Sequence, residues 1–252
     1  MSSRFLTALP VFNEVTSVGP VLDEVANYSD DILVVDDGST DGTLNNLRKR
    51  RDILLIEHSE NQGYGGALIS AFQYAIENGY EVIVTIDCDG QHEPQRIRQF
   101  VSASSETGAD IVSGSRYLKK FENMGPAPKD RQQINFQITK FLNTNLGFDL
   151  TDAFCGFKAY RINALQKLRL KEKGYAMPLE LWVQAWCKNL SIVELPVPLI
   201  YLDEDRSFGD NLNDPEVRLK YYYEVLEKSF AAVPKPCRIS GSTFFPNETD
   251  ER

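Results

Sequence analysis

The sequence has few features of a membrane-spanning or secreted protein. Only four of its 252 residues are cysteines, and none of them forms a C-x-x-C pair. This spacing indicates neither a zinc site nor a disulfide framework, so we expect reduced thiols and a cytoplasmic protein. No apolar run approaches the ~20 residues of a spanning helix, and Pro10 interrupts the N-terminal one. We therefore expect no secretory signal and no transmembrane span, which still allows peripheral contact with a membrane surface.

Positive charge is also scarce. The formal net charge is -9, and the longest basic run covers only residues 48–51. Proteins that bind nucleic acid neutralise its phosphates with a basic face, so we expect no nucleic-acid partner. Hydrophobic residues make up 42% of the chain and charged residues 25%, as in ordinary globular proteins. The length suits one large or two small domains.

The first 115 residues alternate between strand-like and helix-like segments. Apolar runs predict strands at residues 4–9, 31–35, 53–56, 82–86 and 109–113. Apolar stripes with helical spacing predict helices at residues 15–28, 41–47, 66–77 and 94–102. Ser39 or Thr40 is the expected cap of the second helix. The alternation predicts a mostly parallel, Rossmann-like α/β sheet with helices on both faces.

Beyond residue 116 the pattern becomes irregular. It predicts helices at residues 130–146, 178–188 and 215–231, strands at 156–161, 192–195 and 199–202, and loops at 119–129 and 203–214. The first of these helices carries an apolar stripe formed by Ile134, Ile138, Phe141 and Leu142. That stripe indicates either a core-facing side or a surface that receives a lipid chain. The segment from Pro234 on lacks periodicity, which predicts a disordered tail.

Two carboxylates follow the predicted strand 82–86. Asp87 and Asp89 are one residue apart, and alternate residues of a strand share a face, so both are expected to point the same way. Converging carboxylates repel each other unless a cation joins them. Together with Gln91 they form an oxygen-rich set that suits Mg²⁺ or Mn²⁺. The alternative is an ordinary Asp-Gly turn.

Polar or glycine-containing segments follow four of the predicted strands, at residues 10–14, 36–42, 87–91 and 114–117. Ligands of parallel α/β sheets bind outside the carboxyl ends of the strands. Acids at three strand ends on one edge of the sheet favour the cation site over an ordinary Asp-Gly turn.

Six motifs follow one another along the chain: LPVFNE, VVDDGSTDGT, NQGYGGAL, DCDGQHEP, GSRY and DAFCGFKAYR. In this order they resemble the family 2 glycosyltransferases of GT-A fold, and among these the dolichyl-phosphate mannose synthases and related polyprenyl-phosphate glycosyltransferases. The resemblance is strong over residues 5–117, weaker further on and absent in the tail. It implies one GT-A domain over residues 1–233, with a nucleotide-sugar half (1–117), an acceptor half (118–233) and a separate tail (234–252).

The resemblance implies a donor site at the carboxyl ends of the strands. The nucleotide contacts of the family fall here on Pro10, Phe12, Asn13, Glu14, Asp36, Asp37, Gly63 and Asp87. Its metal ligands fall on Asp87, Asp89 and Gln91, which would hold Mg²⁺ or Mn²⁺ against the two phosphates of a nucleotide diphosphate sugar. For the glycines of residues 61–66, two interpretations stay open: a phosphate cradle at a helix N-terminus, or close packing of that helix.

On the acceptor side, the resemblance implies phosphate-binding arginines at Arg116, Arg131 and Arg206. The planar guanidinium group can bind two phosphate oxygens at once. Arg116 and Arg131 could instead pair with local acids. The segment after Arg206 departs from the family, because Asn211 and Leu212 stand where a Ser-Lys pair is usual. That departure puts its donor contacts in doubt.

Asp152 and Glu180 are the candidate general bases, and with Asp89 and the three arginines they complete the predicted catalytic set. A hydroxyl acceptor would need such a base. A phosphate monoester would not, because its second pKa of about 6 makes it a dianion at neutral pH. The alternatives are that Asp152 braces the following loop and that Glu180 pairs with a nearby basic residue.

The resemblance therefore implies a metal-dependent, inverting transfer from a donor such as GDP-mannose or UDP-glucose to a polyprenyl or dolichyl phosphate. Two alternatives stay open: a soluble hydroxyl acceptor, and an inactive protein that only binds nucleotide sugars. The absence of spans and the altered Arg206 segment favour the first alternative. The intact set of Asp87, Asp89 and Gln91 argues against the second.

Overall fold

A computed structural model describes residues 4–121, 128–200, 210–234 and 237. Three parts of the sequence-based expectations lie outside these residues. They are the Arg206 segment, the centre of the predicted loop 119–129, and nearly all of the tail.

Seven strands form one sheet in the order β3-β2-β1-β4-β6-β5-β7. The strands are β1 (Phe5–Val11), β2 (Ile32–Asp36), β3 (Leu54–Glu57), β4 (Val82–Thr85), β5 (Ile111–Ser115), β6 (Lys158–Arg161) and β7 (Ile192–Pro196). Neighbours are parallel except at β6, which is antiparallel to both β4 and β5. The predicted mostly parallel sheet is confirmed, and a strand from the second half of the chain lies between two from the first.

Helices cover both faces of the sheet, as predicted. They are α1 (Val18–Val25), α2 (Thr43–Leu47), α3 (Tyr64–Glu77), α4 (Ile97–Thr107), α5 (Lys129–Leu146), α6 (Ile162–Leu165), α7 (Met177–Cys187) and α8 (Pro215–Ala232). One apolar core packs the sheet against α1, α2 and α4, and the other packs it against α3 and α5 to α8. Because both faces are covered, a central strand such as β2 is buried along its whole length and reads as a continuous apolar run.

The predicted apolar stripe of α5 faces the core. Ile134, Ile138 and Leu142 are buried, and Phe141 packs against the same cluster from a partly buried position. The core-facing interpretation of this stripe is therefore confirmed. Among the described residues, none of the helices has the length and apolar character needed to cross a bilayer.

Three local predictions were wrong. Leu199 and Ile200 do not belong to a strand, because β7 ends at Pro196 and the chain leaves the sheet there. The second helix begins after Gly42, and the Asp41 carboxylate, rather than Ser39 or Thr40, accepts the hydrogen bond from the Thr43 amide (2.9 Å).

The cysteine prediction also needs a correction. Cys88 and Cys155 are free and buried, as expected of reduced thiols. Cys187 and Cys237, however, form a disulfide. Their separation of 50 residues gives no local spacing signal, and only the packing of the chain after α8 against the end of α7 brings them together.

Candidate active site

The loops after β1 and β2 are tied to each other at the carboxyl edge of the sheet. The Asn13 amide donates to Ser39 Oγ (2.9 Å), and the Thr40 amide donates to Asn13 Oδ1 (2.8 Å). Asn13 adopts a left-handed conformation with φ of 56°, which the Asn side chain tolerates. These bonds hold the predicted nucleotide-contact loop in place. Within it Phe12 is exposed, whereas Glu14, like Pro10 in β1, is half-buried.

Asp36 and Asp37 are both buried at the end of β2. Asp37 accepts hydrogen bonds from the amides of Gln62 (2.9 Å) and Gly63 (2.8 Å) and pairs with His58 Nδ1 (2.6 Å). The Asp37 carboxylate therefore anchors the segment before α3. One oxygen of Asp36, Oδ1, is buried without a hydrogen-bond partner, an arrangement that calls for an explanation in a folded protein.

The glycines before α3 allow a close approach of two chain segments. Gly63 has φ of 91°, and a Cβ atom at Gly63 would collide with the Lys173 carbonyl. A Cβ at Gly65 would collide with the Glu172 carbonyl, and the Gly66 amide donates to the Lys173 carbonyl (3.0 Å). These contacts, and the use of the Gly63 amide by Asp37, favour the packing interpretation over the phosphate cradle. The partner is the 172–174 segment.

Asp87 lies two residues past β4 with 27% of its side chain exposed. It accepts hydrogen bonds from the Tyr64 hydroxyl (3.0 Å) and from His92 Nε2 (3.1 Å). Gly156, in the loop before β6, lies so close that a Cβ atom there would collide with both Asp87 oxygens. The absence of a side chain at Gly156 is what makes room for this carboxylate.

Asp87 and Asp89 do not lie on one strand, so the prediction that they share a strand face was wrong. The strand ends at Thr85, and residues 88–90 form a bend in which Gly90 has φ of 74°. The bend is closed by a hydrogen bond from the Gln91 amide to Asp89 Oδ1 (2.9 Å). An Asp-Gly turn and a pair of nearby acids were alternative predictions for this segment, and the structure contains both.

The donor set at this bend fits an ion that is shared with a substrate. Within the described residues, no three His, Cys, Asp or Glu side chains gather closely enough to hold a metal by themselves. Mg²⁺ is usually held by one or two carboxylates and completes its shell with water and substrate phosphates. Asp87 and Asp89, both only partly buried, match that requirement.

Two stacked tyrosines border the Asp87 carboxylate, and sequence reasoning missed both. Tyr64 and Tyr175 have ring centroids 5.9 Å apart and nearly parallel planes. Burial and the neighbouring Asp87 charge hold the pKa of Tyr64 well above its usual value. Burial also raises the pKa of Tyr175, and the charges of Asp87, Glu14 and Asp37 act in the same direction. Tyr175, 39% exposed, therefore lies over the predicted donor site.

Arg116 and Asp152 form a two-pronged ion pair. Arg116 Nε and Nη2 donate to the two Asp152 oxygens at 2.7 and 2.9 Å, and Asn135 Nδ2 adds a bond of 2.7 Å. Asp152 is fully buried. Burial alone would raise its pKa, but the charge and hydrogen bonds of Arg116, with that of Asn135, lower it to about 2. Such a carboxylate is a weak base, so the geometry favours the bracing role for Asp152 and the local pairing of Arg116.

Glu180 is also engaged by the chain itself. It lies in the first turn of α7, is 8% exposed, and accepts hydrogen bonds from the backbone amides of Lys171 and Glu172, both at 2.7 Å. Gln184 donates to its other oxygen (3.1 Å). Its partners are amides rather than the basic side chain expected from the sequence. This arrangement again favours a structural role.

Arg131 lies in the first turn of α5 and is half-buried. Burial raises the pKa of Tyr222 in α8 to about 12, and Arg131 is one of the charges that oppose this rise. The contact of Arg131 with an acceptor phosphate stays a prediction.

Lys158 in β6 is a buried cation that the sequence did not reveal. It is 1% exposed, donates to the Cys155 carbonyl, and lies 5.5 Å from the centre of the Trp182 ring. Burial lowers its pKa, while Asp152 and Asp87 are among the groups that oppose this shift. The sequence does place this lysine inside the predicted strand GFKAYR. Because a buried charge usually has a partner, that position could have indicated acids close to Lys158.

Comparison with known proteins places this site in a family. The sequence profile described as Glycosyl transferase family 2 matches residues 7–169, and the chain belongs to that family. It is 31% identical to an undecaprenyl-phosphate mannosyltransferase of Micrococcus luteus, over 82% of this chain and 86% of that protein. It is 30% identical to a polyprenol monophosphomannose synthase of Mycolicibacterium smegmatis, over 78% and 77%. The protein is a glycosyltransferase.

Solved structures show the same fold at low sequence identity. Glucosyl-3-phosphoglycerate synthase of Mycobacterium tuberculosis in complex with phosphoglyceric acid aligns with a TM-score of 0.72 at 16% identity, covering 92% of this chain and 82% of that one. The same enzyme in complex with Mn²⁺, UDP and glucosyl-3-phosphoglycerate aligns with a TM-score of 0.70 at 15% identity, with the same coverage. The fold is therefore of GT-A type.

Proposed function

We propose that the protein transfers a sugar, with inversion, from a nucleotide diphosphate sugar to a polyprenyl or dolichyl phosphate and that the reaction requires Mg²⁺ or Mn²⁺. The observation that carries this proposal is the partly exposed Asp87 carboxylate at the carboxyl end of β4, close in sequence to Asp89 and hydrogen-bonded to Tyr64 of the stacked pair Tyr64 and Tyr175.

The donor diphosphate would bind at this bend. Asp87 and Asp89 would hold the divalent ion, with Gln91 as a third oxygen donor, and the ion would offset the charge that develops on the leaving nucleoside diphosphate. Asp36 and Asp37, both buried, would shape the nucleotide pocket from behind it, because Asp36 accepts the Ser39 amide (3.1 Å) and Asp37 accepts the Gln62 and Gly63 amides. A solved structure of similar fold contains Mn²⁺ with UDP, which fits this arrangement.

A phosphate acceptor agrees with the engagement of both base candidates. Asp152 is paired with Arg116, and Glu180 holds two backbone amides. A hydroxyl acceptor would need one of them free to take its proton, whereas a phosphate dianion attacks without a base. The names of the relatives, an undecaprenyl-phosphate mannosyltransferase and a UDP-N-acetylglucosamine–dolichyl-phosphate N-acetylglucosaminyltransferase, point to the same class of acceptor.

The two halves of the chain would then divide the substrates between them. In this proposal residues 1–117 bind the donor and residues 118–233 form the acceptor side, where Arg131 and Arg206 contact the acceptor phosphate and Arg116 holds the loop that carries Asp152. The enzyme would act on the cytoplasmic side of a membrane as a peripheral protein and without a nucleic-acid partner.

The test is a transfer assay with the purified protein. GDP-mannose, UDP-glucose and UDP-N-acetylglucosamine would each be offered with Mn²⁺ or with EDTA. The acceptors would be a short-chain isoprenyl phosphate, the matching isoprenol, and phosphoglyceric acid. We expect one donor to be used with the isoprenyl phosphate, only with the metal. Transfer to the isoprenol or to phosphoglyceric acid instead would overturn the proposed acceptor, and full activity in EDTA would overturn the metal requirement.

A separate experiment tests whether the transfer needs a general base. Glu180→Gln should leave the transfer to isoprenyl phosphate within about threefold, because the amide oxygen still accepts the two backbone hydrogen bonds. A loss of more than about 100-fold, the size expected for a general base, would contradict the base-free mechanism.

A further inference from the structure

Four basic residues are exposed along the segment between α6 and α7 of this acidic protein, although Arg169 Nη1 also donates to the carbonyls of Gln166 (2.9 Å) and Leu168 (2.7 Å). In residues 167–173 every second residue is basic and exposed, while the residues between them are buried or half-buried. The four residues, called the basic strip below, are Lys167, Arg169, Lys171 and Lys173. Leu168 and Leu170 pack into the core cluster on the opposite side. The net charge of the whole chain is -9, so the strip stands out against an acidic background.

Side chains of α7 hold the backbone of the basic strip. The Arg169 amide donates to Gln184 Oε1 (2.7 Å), and Gln184 Nε2 donates back to the Arg169 carbonyl (3.0 Å). The Lys171 amide donates to Glu180 (2.7 Å). These bonds fix the backbone of Arg169 and Lys171, and the side chains of Lys167 and Lys171 are exposed.

A shallow cavity lies beside the basic strip. Its volume is about 290 Å³, and the basic residues that line it are Lys167, Arg169, Lys171 and Lys188. The acids nearby are directed inward: Glu180 binds backbone amides, and Glu172 Oε1 accepts hydrogen bonds from the Tyr221 hydroxyl (2.6 Å) and the Gly174 amide (2.9 Å). The outer surface of the strip is therefore positive.

The basic strip leads directly to the candidate active site. Lys173 Nζ donates to Gln62 Oε1 (2.9 Å), and its carbonyl accepts the Gly66 amide. Two residues further on, Tyr175 stacks on Tyr64. The strip therefore joins the edge of the site, where Lys173 lies, to the cavity beside α7, which Lys167, Arg169 and Lys171 line.

We propose that the basic strip binds the surface of an anionic lipid bilayer and so presents the active site to an acceptor phosphate at that surface. The inference rests on the proposed function, because a polyprenyl phosphate is embedded in a bilayer. A single line of cations suits a plane of anionic headgroups, and lysines or arginines near such a surface contribute additively to binding. Binding of this kind weakens as salt screens the charges.

The test compares two double variants that each remove two exposed cations. Lys167→Gln with Lys171→Gln neutralises the strip, and Lys49→Gln with Arg51→Gln makes the same charge change in the exposed part of the basic run near α2. Binding would be measured by co-sedimentation with vesicles of phosphatidylcholine alone or with 30% phosphatidylglycerol. We expect the strip variant to bind the anionic vesicles about 30-fold more weakly than wild type and the control to bind within about threefold.

Activity assays separate this inference from the proposed function. The strip variant should use a short, water-soluble isoprenyl phosphate like wild type but lose transfer to a long polyprenyl phosphate in anionic vesicles. Equal vesicle binding by the two double variants, or no preference of wild type for anionic vesicles, would overturn the docking surface. If wild type uses no isoprenyl phosphate while the strip still controls vesicle binding, the proposed function fails and the docking surface stands.

Discussion

Asp87 and Asp152 are two carboxylates of one neighbourhood with opposite surroundings. Asp152 is fully buried and paired with the Arg116 guanidinium through two short bonds. Asp87 is 27% exposed, and a tyrosine hydroxyl and a histidine ring supply its hydrogen bonds. Asp152 is closed off from solvent by its arginine, whereas the Asp87 carboxylate is partly exposed and can be reached by a cation from solvent.

An acid within a sequence motif need not take part in catalysis, as Asp152 and Asp87 illustrate. Both residues follow recognisable patterns, yet burial and an arginine partner make Asp152 a support for its own loop. The position of the Asp87 carboxylate depends on a single glycine, because a side chain at Gly156 would occupy the same space. Four measurements test this difference between Asp87 and Asp152.

The largest expected effect is on activity at Asp87. Asp87→Asn keeps an oxygen that can accept the Tyr64 hydrogen bond but removes the charge that holds a divalent ion. We expect kcat/KM to fall by about 1,000-fold or more and binding of Mn²⁺ with a nucleoside diphosphate to be lost, with the melting temperature nearly unchanged. Wild-type metal binding in this variant would end the assignment of Asp87 as a ligand.

At Asp152 the expected effect is on stability. Asp152→Asn leaves the half-buried Arg116 charge without its partner, which we expect to cost about 3 kcal/mol, the lower end of the range for buried pairs. Urea unfolding should show this loss. Replacing both partners, Arg116→Met with Asp152→Leu, should recover part of it, because the Arg116 charge is then removed together with its partner, while the buried Lys158 still loses a nearby acid. A single variant as stable as wild type would contradict the supporting role of the ion pair.

Gly156 tests the link between packing and the exposed carboxylate. Gly156→Ala puts a methyl group against both Asp87 oxygens, so we expect about 100-fold lower kcat/KM in a folded protein. Gly19→Ala in α1 is the matched control, because a Cβ there has open space around it and alanine favours a helix. Equal activity of both variants would mean that the position of Asp87 is unimportant.

The smallest effect is the pH dependence of stability. The pKa of Asp152 is lowered to about 2 from an ordinary value of 3.8, so its ionised form is favoured by folding. Its contribution, about 2 kcal/mol, is therefore fully present above pH 4 and is lost as pH falls towards 2. Acid titration of urea midpoints should show this slope in wild type and a smaller one in Asp152→Asn. Identical slopes would contradict the lowered pKa.

Local pattern predicted much of the first half. Runs such as Ile32–Asp36 and Val82–Thr85 are apolar because helices cover both faces of the sheet, and their order predicted a parallel arrangement. The fold of the second half was harder to predict, because β6 pairs antiparallel with two strands that precede it by tens of residues. Such pairing depends on distant partners, and nothing in residues 158–161 alone announces it.

The site divides in the same way. Asp87, Asp89 and Gln91 could be proposed from the sequence because they lie within five residues of one another after one strand. Tyr175, Lys158 and Gly156 could not, since their relation to Asp87 arises only when segments about 70 to 90 residues away return to the sheet edge.

The family, the mostly parallel sheet with its two helical layers, and the sheet edge at which polar groups collect could all be read from the sequence. These depend on local periodicity and on the order of motifs. The arginine that pairs with Asp152, the tyrosines that border Asp87, and the exposure of the four residues of the basic strip became visible only in the folded chain. Burial and charge pairing arise between distant parts of the chain, so their consequences appear only once it has folded.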